Sequence, residues 1–203
     1  HSLLQNLGCE ITDIGILPDD ANTILKELKN AAMNNDLLIT SGGVSKGEED
    51  HVRTAVAKLG ALHTWNLLIK PGRPIALGHI LDNGQQVPLI GLPGTPVAVL
   101  VTFLRIARPI ILLLSGVTKI EPVLYKVPAA FNFLKKPGRR EWLRASLKKT
   151  PDKGFYAVKY PWDGSGILSS MVASDGLVEL SEATTNIKEG DMIDFLPFSE
   201  VMK

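Results

Sequence analysis

Cysteine is nearly absent from this chain. Its 203 residues contain one, Cys9. No internal disulfide can form, so the fold must rest on buried apolar surface, and a single thiol suits a reducing compartment. Excess charge is absent too: 22 Lys and Arg against 21 Asp and Glu leave a net +1. Bulk electrostatics therefore give no reason to expect nucleic acid as a partner. No uninterrupted apolar run reaches the roughly 18 residues of a membrane span. The nearest, Val97 to Leu114, is broken by Arg105, Arg108 and Pro109. No stretch reads as a signal peptide, an internal repeat or a low-complexity segment. With 45 % apolar and 21 % charged residues, the composition is that of a soluble globular protein. The expectation is a cytoplasmic chain without a membrane partner.

The stretch that organises the rest is Leu37 to Asp50. Leu37-Leu38-Ile39 reads as a short buried strand. It breaks into Ser41-Gly42-Gly43-Val44-Ser45-Lys46-Gly47, a turn rich in glycine and hydroxyls, where backbone can approach a ligand closely. Glu48, Glu49 and Asp50 then open an amphipathic run carrying Val52, Ala55, Val56 and Leu59, which predicts a helix. A strand, a glycine turn and a helix start together make an anion-binding geometry. Carboxylates beside a phosphate repel it unless a cation lies between them. The stretch therefore reads as a phosphate-plus-Mg²⁺ site with Asp50 as the metal-side carboxylate, or else as an ordinary strand-to-helix turn with capping acids.

Taken in order, His1 to Leu7 predicts the end of a helix stopped by Gly8, and a chain opening in mid-helix reads as an N-terminally truncated piece. Cys9 to Leu17 predicts a strand, and Asp19 or Asp20 caps a helix whose core face is Ile24, Leu25, Leu28, Ala31 and Ala32. After the glycine turn and the helix to Leu59 come a strand at Trp65 to Ile69 and a rigid turn, Lys70-Pro71-Gly72-Arg73-Pro74, which holds two cations near each other. Ile75 to Ile80 and Val87 to Leu92 predict strands joined by a hairpin turn at Asp82-Asn83-Gly84. Pro93-Gly94-Thr95-Pro96 then starts a helix over Val97 to Leu114, with Thr95 at the N-cap. This order predicts an α/β domain over 1–117, with an open, mostly parallel sheet and helices on both faces. The three loops would share the edge beyond the strand ends, where such sheets bind ligands.

Beyond Gly116 prolines recur and helical periodicity fades. Val123–Val127, Trp142–Leu147, Phe155–Tyr160, Leu177–Leu180 and Met192–Leu196 predict short strands, with one helical turn within Ile167–Ala173. This describes a small β-barrel or sandwich over 118–203. Its most charged segment, Lys135 to Lys149, holds seven cations and one acid and reads as a solvated hairpin.

Four motifs carry a resemblance: Gly15-Ile16-Leu17-Pro18-Asp19-Asp20; Ser41 through Asp50; Lys70-Pro71-Gly72-Arg73-Pro74; and Gly91-Leu92-Pro93-Gly94-Thr95-Pro96. Together they resemble the molybdopterin molybdenumtransferase family, MoeA and the gephyrin E domain. Similarity continues through Pro137-Gly138-Arg139, Trp142-Leu143-Arg144 and Asp163-Gly164-Ser165-Gly166 to Ser169-Ser170. The resemblance implies a MogA-like α/β domain lacking its first strand, followed by an all-β barrel. It implies an enzyme of molybdenum cofactor biosynthesis that cleaves adenylyl-molybdopterin, releases AMP and inserts molybdate at the dithiolene with Mg²⁺. It also implies a homodimer for the full-length protein and a MogA-type adenylyltransferase as upstream partner, with the isolated fragment inactive.

By residue, the resemblance implies catalytic or metal-binding roles for Asp50 and Asp19 and a catalytic role for Lys70. Substrate binding falls to Ser41, Gly42, Gly43, Ser45, Arg73, Pro93, Gly94, Thr95, Pro96, Arg144 and Ser165. Cations would hold phosphate and molybdate oxygens while acids position the metal and a water. His51, next to Asp50, is not expected to act as a base. The chain departs from the family pattern at Asn66, where a basic residue is common, at Thr95, where asparagine is common, and at Lys46, where an apolar residue is frequent. Two alternatives remain: a MogA-type adenylyltransferase, and a non-catalytic binding or scaffold module like the gephyrin E domain.

Overall fold

The computed structural model of the chain describes residues 1–43, 51–151 and 154–202. Val44 to Asp50 lie outside the described residues, and with them the expectations placed on Ser45, Lys46 and Asp50. Contacts group the chain into two compact units: His1–Leu67 with Gly72–Thr95, and Leu68–Pro71 with Pro96–Lys203. The helical region beginning at Pro96, assigned to the first domain from sequence, groups with the second unit.

The first unit opens with α1 (Ser2–Asn6), closed by Gly8 at φ 77°, whose N–H donates to Gln5 O at 2.9 Å. The strand expected at Cys9–Leu17 does not form. The Asp13 carboxylate accepts from Gly15 N–H at 2.8 Å, and Gly15 takes φ 71°. This Asx turn interrupts the extended run, and Ile16 is left fully exposed. Next, α2 (Ala21–Ala32) buries Ile24, Leu28 and Ala32, one residue per turn along its core face. Then come β1 (Leu38–Ser41), α3 (His51–Leu59) and β2 (Gly60–Asn66). β2 replaces the strand expected at 65–69: Leu67 and Leu68 break it, and Ile69–Lys70 form a separate two-residue strand, β3, in the second unit.

β4 (Pro74–Asp82) and β5 (Gln85–Leu92) follow as the expected hairpin, with Asn83 at φ 47° and Gly84 at φ 87° in its turn. Positive φ at both central residues is what a type I′ turn requires. The sheet order is β1-β5-β4-β2. The α/β class stands, but the expected mostly parallel pairing does not: among the described strands of this sheet β1–β5 is parallel, while β5–β4 and β4–β2 are antiparallel. The reason is local, because a two-residue turn can only return the chain antiparallel to itself. Both α2 and α3 pack on the face bearing Leu38, Ile80, Val87 and Leu89. Gly78 permits this. A Cβ there would lie 2.5 Å from Ala61 O and 3.2 Å from Val56 Cγ1 of α3.

From Pro96 onward the second unit opens with one long helical run: α4 (Pro96–Thr102), a π-helical turn (Phe103–Ala107) and α5 (Arg108–Leu114). Pro109 sits near the start of α5 and has no N–H for the turn before it. The widened turn absorbs that missing bond. By length and composition Pro96–Leu114 does qualify as long and apolar enough to cross a membrane, contrary to the sequence expectation. Within this unit it acts as a core helix: Val97, Val101, Leu104 and Ala107 are fully buried, and Arg105 is ion-paired.

The expected short strands are all present as β6 (Tyr125–Pro128), β8 (Arg140–Thr150), β9 (Gly154–Lys159), β10 (Gly176–Leu180) and β12 (Met192–Pro197). α6 (Ser169–Val172) lies within the expected helical turn. Two-residue strands β7 (Phe133–Leu134) and β11 (Asn186–Ile187) form a separate ribbon. The main sheet runs β3-β8-β10-β12-β6, with β9 on the far end of β8. Its path is not closed by a full ladder. A single parallel bridge, Ala129 to Ala157, joins the segment after β6 to β9. The curled inner face buries Val127, Leu143, Ala145, Ala157, Val178, Leu180, Ile193 and Phe195, each contributing about 1–3 kcal/mol as area removed from water.

The Lys135–Lys149 segment is not a solvated hairpin. Lys135, Glu141 and Arg144 are all buried. Lys135 donates from Nζ to Thr184 O at 2.9 Å and to Lys136 O at 3.2 Å, which satisfies its ammonium against backbone carbonyls.

Candidate functional site

In the first unit the parallel register of β1 and β5 sets Ser41 opposite Leu92. Both strands therefore end at the same edge, and the two turns that follow them touch. Gly42 N–H donates to Leu92 O at 3.1 Å, and a Cβ on Gly94 would lie 3.5 Å from Gly42 Cα. Gly42 and Gly43 take φ 85° and 64°, so ordinary residues would be strained at both. A Cβ on Gly43 would also press to 2.8 Å from Val52 Cγ2 in the first turn of α3. The structure thus brings Ser41, Gly42, Gly43, Pro93, Gly94 and Thr95 together.

Asp19 and Asp20, adjacent in sequence, separate in role. Asp20 is the cap: its Oδ2 accepts from Thr23 N–H at 2.7 Å. That bond holds its carboxyl below the ordinary 3.8, with a smaller contribution from nearby His51. Asp19 is left uncapped, its side chain 85 % exposed and Oδ1 3.9 Å from His51 Nε2. His51 is the first residue of α3 and the sequence neighbour of Asp50. The Asp19 carboxylate therefore stands beside the first described residue of α3. Among the described residues no group of three or more His, Cys, Asp or Glu forms a metal cage. Asp19 by itself still fits Mg²⁺, which takes one or two protein carboxylates and fills the rest of its shell with phosphate and water. Arg73 is exposed, and its carbonyl accepts from Leu67 N–H at 3.0 Å across the turn.

Lys70, Pro96, Arg144 and Ser165 belong to the second unit. Lys70 is half exposed, with Nζ 3.6 Å from Glu141 Oε2. Glu141 is 1 % exposed and also paired with Arg139 through Oε1 at 2.6 Å. Arg144 is not a free cation. Its Nε donates to Ser170 Oγ at 3.1 Å, and one terminal nitrogen donates to Trp162 O at 3.1 Å and Gly164 O at 3.2 Å. Burial pulls its pKa below the ordinary value. Arg144 thus shapes the 162–166 loop from beneath. In that loop Ser165 O accepts from Val97 N–H at 2.9 Å, one residue after Pro96 opens α4. That N–H, at the start of α4, is therefore already satisfied within the protein.

Sequence reasoning missed two buried ionic groups. Glu179 takes Arg105 at 3.0 Å, Arg140 at 2.9 Å and Trp142 Nε1–H at 2.9 Å. Arg140 extends this pairing to Glu182, which raises the guanidinium pKa and lowers that of the carboxyl. The other group is Glu141 with Lys70 and Arg139. Its one available signal was a lone acid in a run of seven cations.

Two glycine turns leave neighbouring parallel strands at one edge, the edge at which open α/β sheets commonly take ligands. The comparisons are specific about the family. The chain belongs to the family described as "Probable molybdopterin binding domain", which it matches over residues 1–112. It also matches the MoeA C-terminal region (domain IV) over residues 126–198. A molybdopterin molybdenumtransferase of Haemophilus influenzae is 33 % identical over 201 residues, covering 98 % of this chain and 49 % of that protein. Gephyrin of Dictyostelium discoideum is 33 % identical over 115 residues, covering 51 % of this chain and 16 % of that protein. Among solved structures, a molybdopterin biosynthesis MoeA protein of Pyrococcus horikoshii superposes with TM-score 0.76 at 26 % identity, over 97 % of this chain and 46 % of the other. The chain spans about half the length of the curated transferase it matches.

Proposed function

We propose that the chain supplies the substrate-handling part of a molybdopterin molybdenumtransferase in molybdenum cofactor biosynthesis. The carrying observation is the junction of the 42–43 and 93–95 turns at one strand edge, held by the Gly42 to Leu92 hydrogen bond. The family match and the transferase relative support the same reading.

In this reading the substrate is adenylyl-molybdopterin and the second substrate is molybdate. The backbone of Ser41, Gly42, Gly43, Gly94 and Thr95 lies against the phosphate linkage, because glycine leaves room for an oxyanion to reach the N–H groups. Arg73 supplies positive charge to non-bridging oxygens from the first unit, and Lys70, in the second unit, is read as an oxyanion-binding cation in its own right. Charge neutralisation at the scissile phosphate is the main contribution expected from these groups. Asp19, free of any capping duty, would hold Mg²⁺, with Asp50 as the second carboxylate that the family resemblance implies. When bound, Mg²⁺ withdraws charge from the phosphate linkage and so assists AMP release. We assign Arg144 a supporting role beneath Ser165. The working protein is a cytoplasmic homodimer fed by a MogA-type adenylyltransferase, and the isolated 203-residue chain binds substrate without turning it over.

The test is AMP release and molybdenum insertion from adenylyl-molybdopterin, molybdate and Mg²⁺, using a full-length transferase into which this chain is substituted. The expected outcome is turnover that Asp19→Asn cuts by about 10²-fold or more, the scale of a lost charge-stabilising group. Full activity in Asp19→Asn would remove Asp19 from the metal side.

A further inference from the structure

Lysine is a poor choice for a fixed charge. Its ammonium sits on a flexible four-carbon stem, and freezing that stem costs rotamer entropy. Lys70 also lies on a strand of only two residues, β3. A cation meant to meet an oxyanion at a set position needs something to hold it.

The fold provides that hold from the next strand. β3 pairs in parallel with the start of β8, and the register places Lys70 opposite Glu141. On its other side Glu141 is laddered to Leu180 of β10, so its backbone is pinned between two neighbours. Its side chain is 1 % exposed, and Oε1 is locked by Arg139 Nε at 2.6 Å. The other oxygen, Oε2, is buried without a hydrogen bond. Lys70 Nζ lies 3.6 Å from it. A buried carboxylate with one oxygen unsatisfied is costly, so it draws any cation within reach. Lys70 meanwhile is 44 % exposed, and an ammonium has three donors. One can face Glu141 while the others point outward.

We propose that Glu141 is a positioning residue: its buried carboxylate tethers the Lys70 ammonium so that the remaining donors are presented to an oxyanion of the substrate. The proposal rests on the reading of Lys70 as a substrate-binding cation. It leads to a counterintuitive sign. Glu141→Gln keeps the side-chain shape and an oxygen for Arg139 while deleting a negative charge. Electrostatics alone would then tighten anion binding. Loss of positioning would weaken it.

Two measurements on the 203-residue chain decide the matter. The first is side-chain NMR of Lys70 with ¹³C at Cε, the signal being assigned by its loss in Lys70→Ala. Lys70 should move less than exposed Lys26 in the unmodified chain and as freely as Lys26 in Glu141→Gln. Unchanged restriction in Glu141→Gln overturns the proposal whatever the function of the site. Should Glu141→Gln not fold, Glu141→Asp withdraws the carboxylate by one carbon, and unaltered Lys70 mobility there is equally fatal. The second is a double-mutant cycle read by AMP titration. Glu141→Gln should weaken AMP about three- to tenfold, the scale of one side chain left to be ordered on binding. It should have no further effect in a Lys70→Ala background. Tighter binding, or an equal loss in both backgrounds, overturns the positioning role. If Lys70→Ala itself leaves AMP binding unchanged while the NMR result holds, the tether stands and the reading of Lys70 as a substrate cation fails.

Discussion

At the scale of single residues, neighbours in sequence do different work because of the bonds they make. Asp20 spends its carboxylate on Thr23 N–H, which leaves Asp19 available at the start of α3. The carboxyls of Asp20 and Glu182 are both held below their ordinary values of 3.8 and 4.5, chiefly by hydrogen bonds from Thr23 and Arg140. A depressed folded-state pKa contributes stability that is complete above the unfolded value and is lost as pH falls through the folded one. Denaturant midpoints should therefore decline below about pH 4. Asp20→Asn, which caps without titrating, should remove part of that decline while changing the midpoint little at pH 7. Arg144 supports a second residue-scale prediction. Arg144→Lys cannot reproduce a guanidinium that serves Ser170, Trp162 O and Gly164 O together. It should lower unfolding free energy by roughly 1–3 kcal/mol, the scale of charged hydrogen bonds lost on burial, as measured by urea titration.

At the scale of elements, close approach and buried charge set the arrangement. Gly78 lets β4 lie against Ala61 of β2 and Val56 of α3. Gly78→Ala should cost about 1–3 kcal/mol through overpacking, with a matching drop in the denaturant midpoint; no change would mean the strands yield freely. In the second unit Glu179 joins the π-helical turn, through Arg105, to β8, through Arg140 and Trp142. Glu179→Ala strands two buried or half-buried guanidiniums and an indole N–H. Removing one partner of such a buried pair typically costs about 3–5 kcal/mol, and here calorimetry is the check. Elements were legible wherever their signal is local. The 82–84 hairpin turn, the core face of α2, the glycine stop after α1 and the five short strands beyond residue 120 all lie where the residues point. The strand expected at 9–17 failed because apolar alternation does not reveal an Asx turn. The strand at 65–69 failed because its residues are shared between two sheets.

At the scale of the whole molecule, the chain crosses between two units more than once, since residues 68–71 belong with the C-terminal one. Each unit has its own buried apolar cluster. Thermal unfolding should then show two transitions, with Gly78→Ala lowering one and Glu179→Ala the other. A single transition whose calorimetric and van't Hoff enthalpies agree would show one cooperative unit instead.

The sequence by itself determined the α/β-then-β organisation, the glycine turns after strands and the family resemblance, because periodicity, turn chemistry and motif order are carried by residues close together in the chain. Only the tertiary structure decided that the first sheet is mixed. It also decided that the turns at Gly42 and Gly94 touch, that Arg144 works beneath its loop, and that Lys70 is answered by Glu141. Each of these depends on strand register between segments tens of residues apart. Register is settled by which faces can be buried together and which buried charges find partners, and no local pattern encodes that choice.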